Sequence, residues 1–305
     1  MTGYGLQLQL LWLVVLLATS GGEASFLSHS RFASKKPIAP SVIIYQQQQQ
    51  QQRDENSEAE TFTSSQQEDW RDAKILSSRP ACPSGKSTII QLQVDAATHQ
   101  EYTMPGQFVQ FRYKDADPIF LAIASAPATG AEKNCFEFLI KMAPRLDWLP
   151  EALVEGNTVQ VTGVMGEGFP LEDLGNTKKI ESIILAAAGS GIAPLKACIE
   201  SGKLPSSPQN KLYYGEWKND DLCFSELYDS WKSDLGVDVV PVLSRTEDTK
   251  GYVQYVLKQD GVALLASQSP ETTGSILCGM DDMVEACTLV LTEAGVKKDN
   301  ILLNL

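Results

Sequence analysis

Histidine is nearly absent from this sequence, with His29 and His99 the two instances in 305 residues. The six cysteines (Cys82, Cys135, Cys198, Cys223, Cys278 and Cys287) show neither CxxC nor Cys/His spacing. Those two shortages argue against a zinc site, and no other metal-ligand pattern stands out. Six scattered thiols in a chain of this length do not make a disulfide framework either. They read as reduced, with Cys198 and Cys287 on apolar helix faces. Positive charge is also scarce: 25 Lys and Arg stand against 38 Asp and Glu, a formal net charge of −13. From Trp70 onward 31 acidic residues face 21 basic ones, leaving −10. That balance disfavours nucleic acid, anionic membrane surfaces and strongly acidic protein partners. After residue 25 no apolar run is long enough to span a membrane.

The N-terminus reads as an address. Residues 6–18 form an apolar core of signal-peptide length, and small residues lead to a cleavage site near Ser25. A short N-terminal anchor is the alternative. Residues 26–36 are rich in Ser, Lys and Arg, and no acid occurs between Glu23 and Asp54, the composition of a transit peptide. Ala24-Ser25-Phe26 resembles the small-residue–Phe junction of bipartite presequences in algae with plastids of secondary origin. The expectation is a plastid destination through signal peptide (1–25) plus transit peptide, with plain secretion as the alternative. Glutamines 46–52 and the polar stretch to 69 cannot bury a core and complete a linker over 26–69.

Residues 70–175 carry short β-like segments. Strands are expected at 88–94, 108–113, 120–124, 135–141 and 158–163, separated by turn residues such as Pro105-Gly106 and Gly156-Asn157. That spacing predicts a small antiparallel β-barrel, with a short helix over 147–154 crossing it. Residues 83–88 end like a phosphate-binding P-loop. Pro80 stands where the first glycine belongs, and a strand pattern follows where a helix is required, so the motif is rejected.

From residue 179 the pattern alternates. Strands are expected at 183–188, 211–215, 237–243, 274–278 and 301–303, with helices at 194–201, 222–233, 252–259 and 282–294. Five strands interleaved with helices predict a doubly wound, mostly parallel α/β sheet over 179–305. Ligands of such sheets bind beyond the carboxyl ends of the strands, which directs attention to four loops.

Gly189-Ser190-Gly191, leading into a helix through Ile192 and Pro194, suits a pyrophosphate. Ser244-Arg245, then Lys250 and Tyr252, supply a hydroxyl, two cations and a flat ring for a ribose phosphate beside an adenine. Gly215 to Trp217 ends a third strand. Cys278-Gly279-Met280 ends a fourth, where glycine lets a nicotinamide ring lie close.

An N-terminal barrel followed by AAAGSGIAP, YYGE, VLSRTED, KGYVQ and CGMDDM resembles the ferredoxin–NADP reductase superfamily across roughly residues 85–305, nearest to a plant and algal plastid branch. The resemblance implies a Greek-key barrel that binds FAD, and an NAD(P)-binding domain. Ser244, Arg245, Lys250, Tyr252 and Gln254 match the family's grip on the 2′-phosphate and adenine, which implies NADP(H). Gly189, Ser190, Gly191, Ile192 and Pro194 match its pyrophosphate segment, and Cys278, Gly279 and Met280 its nicotinamide side. On the barrel, Leu121, Ala122, Ile123, Ala124, Ser125, Leu139, Ile140, Lys141, Gly166 and Gly168 occupy flavin-side positions. The family's Arg-x-Tyr-Ser signature falls on Ile119, Phe120, Leu121 and Ala122, so its three functional side chains are missing. Lys141, Arg145 and Arg112 are the candidate replacements for the phosphate contact.

The implied activity is hydride transfer between NADPH and FAD, with a small molecule or an unidentified protein as electron acceptor. Ferredoxin is doubtful because it and this chain are both acidic. The alternative is an NADP(H)-binding, non-catalytic or sensing protein of the same fold that has lost FAD.

Overall fold

The computed structural model describes residues 69–303 except 128, 173, 175–178, 247–250 and 262–268. The address segments and the Gln-rich linker therefore lie outside the described residues, as does Lys250.

The barrel half has six antiparallel strands: β1 (Arg71–Pro80), β2 (Ser87–Gln93), β3 (Phe108–Arg112), β4 (Ile119–Ala122), β5 (Cys135–Lys141) and β6 (Thr158–Val161). Their order is β4-β3-β6-β1-β2-β5, so β6 returns to lie between β1 and β3 in a Greek key. A bridge between Ile123 and Phe138 joins the two ends and closes the barrel. Alternation does the folding. Ile90, Leu92, Val109, Phe111, Phe136, Phe138, Val159 and Val161 all point inward and are buried. Two short helices complete this half. α1 (Ala96–Glu101) is capped by Asp95, whose carboxylate accepts from the Thr98 N–H at 2.9 Å, and α2 (Leu149–Ala152) sits inside the span expected for a helix.

β1 was not expected from the sequence. Only Ala73 and Ile75 of its ten residues are buried, and the register against β2 shifts between Ile75 and Ser77. A bulge breaks the alternation on which a strand assignment depends.

The second half is a five-stranded parallel sheet: β7 (Ser182–Ala188), β8 (Asn210–Glu216), β9 (Val237–Leu243), β10 (Thr273–Cys278) and β11 (Ile301–Leu303). Its order is β11-β10-β7-β8-β9. The chain winds outward from β7 to β9 and then jumps back to β10 on the other side. The carboxyl ends of β7 and β10 thus form the topological switch point where such sheets bind ligands. Among the described residues four helices cover the sheet: α3 (Ile192–Glu200), α4 (Tyr228–Leu235), α5 (Val253–Val256) and α6 (Asp281–Glu293). The helix expected over 222–233 begins later, at Tyr228. Asn219–Asp221 and Ser225–Leu227 are separate 3₁₀ turns, divided by Phe224 at φ +57. A left-handed residue there cannot belong to a continuous right-handed helix.

β7 is buried on both faces. Ile183, Leu185 and Ala187 join one apolar layer, and Ile184 and Ala186 the other. The first layer continues into the barrel through Ala81, Ile89, Ala124, Leu139 and Phe169, so the two halves share a core. Each fully buried aliphatic side chain in that layer contributes roughly 1.5–3 kcal/mol.

A buried ion network crosses the same layer. Lys196 of α3, 8 % exposed, places Nζ 3.1 Å from Glu137 Oε1 of β5 and 2.6 Å from Glu200 Oε2. The Trp231 indole N–H holds the other Glu200 oxygen at 3.1 Å. Helix α3, which follows the glycine turn, is thereby fastened to the barrel by charge as well as by packing.

Candidate functional site

β7 ends at Ala188, and a 3₁₀ turn, Gly189–Gly191, leads directly into α3. β10 ends beside it at Cys278, followed by Gly279, Met280 and α6. Space dictates glycine at the junction. A Cβ on Gly191 would stand 2.3 Å from the Cys278 carbonyl oxygen, and one on Gly279 would stand 2.6 Å from Met283 Cε and 3.1 Å from the Ala188 nitrogen. Gly189 adopts φ +57, where side-chain-bearing residues are strained. The first turn of α3 has no side-chain cap. The Ile192 N–H already donates to the Gly189 and Ser190 carbonyls and Pro194 has none, so what α3 offers at the glycine turn is its positive dipole end, which suits a phosphate.

These turns form the floor of a cleft of about 1290 Å³ between the sheet and the barrel. Of the residues expected to hold NADP(H), the cleft brings together Gly189, Ser190, Gly191, Pro194, Ser244, Tyr252, Gln254, Cys278, Gly279 and Met280. Ile192 is fully buried in the core behind the turn and does not line the cleft. Arg245 lies just outside it, its guanidinium 3.7 Å from the centre of the Trp217 ring. Tyr252 and Tyr255 are 56 % and 58 % exposed and meet edge to face at 6.0 Å. They offer an aromatic platform, of which Tyr252 was expected from the sequence and Tyr255 was not.

The barrel wall comprises Phe108, Phe120, Leu121, Ala122, Leu139, Ile140, Lys141 and Arg145 among others. β5 joins the segment that follows β4 at the Ile123–Phe138 bridge, next to which the Ala124 N–H donates to the Glu137 carbonyl at 2.7 Å. Beyond the bridge the edges of β4 and β5 open on the cleft and leave backbone N–H and C=O groups for a ligand. Phe120 is 68 % exposed and meets Phe108 edge to face at 5.7 Å. Apolar rings, open strand edges and two cations fit a flat isoalloxazine with a diphosphate tail. Leu121 and Ala122 offer backbone there, while Ile123 forms the bridge and Ala124 and Ser125 follow it, all three buried. Ser125 accepts the Tyr102 hydroxyl through its carbonyl (2.7 Å) and the Glu137 N–H through Oγ (3.1 Å). Gly166 and Gly168 also lie off the cleft. A Cβ on Gly166 would stand 2.7 Å from the Phe108 ring, and one on Gly168 2.8 Å from the Pro105 carbonyl, so both serve the turn itself. Arg112 is occupied elsewhere, stacked 3.9 Å from the Trp70 ring centre and donating to Gln160.

Residues that the sequence reading did not assign are Glu216 and Trp217 at the end of β8, and Phe108, Phe120 and Tyr255. Glu216 is buried, accepts the Tyr214 hydroxyl at 3.2 Å and stands 3.6 Å from Lys141 Nζ. The Ser244 and Arg245 N–H groups donate to the carbonyls of Glu216 and Trp217 at 3.0 and 2.9 Å, binding two strand-end loops together.

All six cysteines are free thiols. Burial pushes Cys198 well above the ordinary thiol range and Cys223 and Cys287 to about 12, so these three stay protonated. Cys278 is the partly exposed one, and it faces the cleft. Among the described residues there is no cluster of three potential metal ligands, and no helix is long and apolar enough to cross a membrane.

Residues 185–288 match the family model of the oxidoreductase NAD-binding domain. Over 237 residues the chain is 30 % identical to fruit protein pKIWI502 of Actinidia deliciosa, covering 72 % of this chain and 73 % of that protein. It is 25 % identical to the gamma subunit of sulfhydrogenase 1 of Pyrococcus furiosus over 209 residues, 66 % of this chain and 67 % of that one. A ferredoxin–NADP⁺ reductase from Neisseria gonorrhoeae, crystallised with FAD and NADP, shares the fold. Its TM-score is 0.61 at 18 % identity, over 77 % of this chain and 97 % of that one. The relative 30 % identical over most of both chains and the match to the oxidoreductase NAD-binding domain, together with the shared two-domain fold, place the chain in a family of NAD(P)H-dependent oxidoreductases: it belongs to the ferredoxin–NADP reductase superfamily.

Proposed function

We propose that the protein carries hydride between NADPH and FAD and passes the electrons to a small molecule or another protein, the acidic chain disfavouring ferredoxin. One observation carries this reading. The glycine turns that suit a dinucleotide and the open edges of β4 and β5 that suit a flavin line a single cleft.

In this reading Gly189, Gly191 and the N-terminus of α3 hold the pyrophosphate of NADPH. Gly279 admits the nicotinamide beside Cys278 without a side chain in the way. Ser244 and Arg245 take the 2′-phosphate, joined by Lys250, and Tyr252 and Tyr255 stack against the adenine. Across the cleft, backbone groups of Leu121, Ala122 and Leu139 hold the ring edge of FAD, and Lys141 and Arg145 face its phosphates. Bound flavin supplies the capacity to take up hydride and release electrons, while the protein supplies position and exclusion of water. The acceptor is a small molecule or a protein. The likeness to a protein named as an enzyme subunit supports the second. The plastid destination expected from residues 1–36 belongs to the same proposal, and a fluorescent fusion of residues 1–69 tests it.

The visible spectrum of the purified full-length protein tests the central point. Absorption near roughly 370 and 450 nm, bleached by NADPH, is the expected result. A protein that stays colourless after added FAD overturns it. Ile119, Leu121 and Ala122 at the signature positions favour a second reading, an NADP(H)-sensing protein without flavin. That reading predicts NADPH binding with no flavin bands.

A further inference from the structure

The cleft contains an ion pair that joins its two walls. Lys141 is the last residue of β5 and Glu216 the last of β8, with Nζ 3.6 Å from Oε2. The carboxylate side chain is 5 % exposed, and its other oxygen accepts the Tyr214 hydroxyl. The lysine side chain is 41 % exposed. Both groups close on the glycine turn. A Cβ on Gly189 would have Lys141 Nζ at 3.4 Å and Glu216 Oε1 at 4.0 Å as its neighbours. A buried carboxylate beside a turn shaped for phosphate opposes the ligand that the turn suits, unless something neutralises it.

We infer that Glu216 holds Lys141 in reserve. In the free protein the lysine neutralises the buried carboxylate, and an incoming pyrophosphate takes the lysine from it. Glu216 is then an affinity-setting residue that keeps dinucleotide binding weaker than the turn and the lysine alone would make it. The Lys141–Glu216 contact and a Lys141–phosphate contact exclude each other. This inference rests on the reading of the cleft given above. The shared chemistry is a pyrophosphate, carried by FAD or by NADP(H).

The test titrates full-length wild type, Glu216→Gln, Lys141→Met and the double variant with FAD and, separately, with NADP⁺. Riboflavin serves as the probe without phosphate. The glutamine keeps the hydrogen bond from Tyr214 and removes the charge. Glu216→Gln is expected to bind one dinucleotide about 10-fold tighter with riboflavin unchanged, and Lys141→Met to bind the same one about 10-fold weaker. In the Lys141→Met background the gain from Glu216→Gln is smaller than in the wild type, because only the direct repulsion is left to relieve. The dinucleotide that gains identifies the source of the pyrophosphate. An equal gain in both backgrounds overturns the inference, because Glu216 then acts by repulsion alone. Unchanged or weaker binding by Glu216→Gln also overturns it, while binding by the wild type upholds the reading of the cleft. If no variant binds either dinucleotide, that reading fails and the inference falls with it.

Discussion

Arg245 lies over the face of Trp217, its guanidinium carbon 3.7 Å from the ring centre, and donates its backbone N–H to the Trp217 carbonyl at 2.9 Å. A flexible cation is thus held ready at the end of β9 by a residue from the end of β8. Preorganisation of this kind lowers the entropy lost when a phosphate is gripped.

Replacing Arg245 with Ala should therefore weaken NADPH binding by ~2–3 kcal/mol and leave NADH nearly unchanged, since only NADPH carries the extra phosphate. Trp217→Ala keeps the guanidinium and removes its platform, so the loss should be smaller, about 1 kcal/mol, with the same preference for NADPH. Fluorescence titration with both nucleotides measures each. Equal losses for NADH and NADPH would show that the pair does not read the 2′-phosphate.

Gly191→Ala tests the switch point. The new Cβ would meet the backbone of Cys278 and Gly279, which cannot rotate away. A loss of about 3 kcal/mol in unfolding free energy is expected, together with weakened dinucleotide binding. Gly251→Ala is the control, because its Cβ would meet only the side chains of Val256 and Val242 at 3.3 and 3.5 Å. It should cost under about 1 kcal/mol. Urea denaturation compares the two.

Lys196→Met should destabilise the protein by about 3 kcal/mol, because it leaves Glu137 and Glu200 half-buried without their shared cation. Adding Glu137→Gln and Glu200→Gln to that variant should recover part of the loss. A single variant as stable as the wild type would show that packing alone joins the barrel to the sheet.

Thiol labelling should be confined to one site. Five cysteines are buried and Cys278 is partly exposed at the cleft floor. Iodoacetamide is expected to modify Cys278 alone in the native protein, and NADP⁺ to slow that reaction. Peptide mass mapping with and without NADP⁺ decides it. Labelling that NADP⁺ does not slow would place the nicotinamide end elsewhere.

Periodicity made most of the fold legible. The strands expected at 135–141, 237–243 and 301–303 have those bounds in the structure, because their apolar runs end at clear turn residues. β1 was not legible, since a bulge and eight exposed or half-buried residues hide its two inward contacts. In the site, the Gly189–Gly191 and Cys278–Met280 segments were readable because close backbone approach restricts Gly191 and Gly279 to glycine. Glu216 and Trp217 were not, because their importance comes from Lys141 and Arg245, which lie 75 and 28 residues away in sequence. Gly166 and Gly168, expected at the flavin side, stand off the cleft in a tight turn. A glycine demanded by a tight turn looks, in one dimension, like a glycine that makes room for a ligand.

Pro241 has a bearing on how the molecule keeps to itself. It lies in β9, the outer strand beside β8, and is exposed. The Ser244 N–H turns inward to the Glu216 carbonyl, so two-residue alternation turns the Pro241 nitrogen outward. The free margin of the sheet thus lacks a donor at its middle, where a stray strand from another molecule would need one. At the opposite margin β11 offers three residues among those described. Both borders of the nucleotide sheet are poor templates for cross-chain pairing, which protects an open five-stranded sheet from fibrous growth.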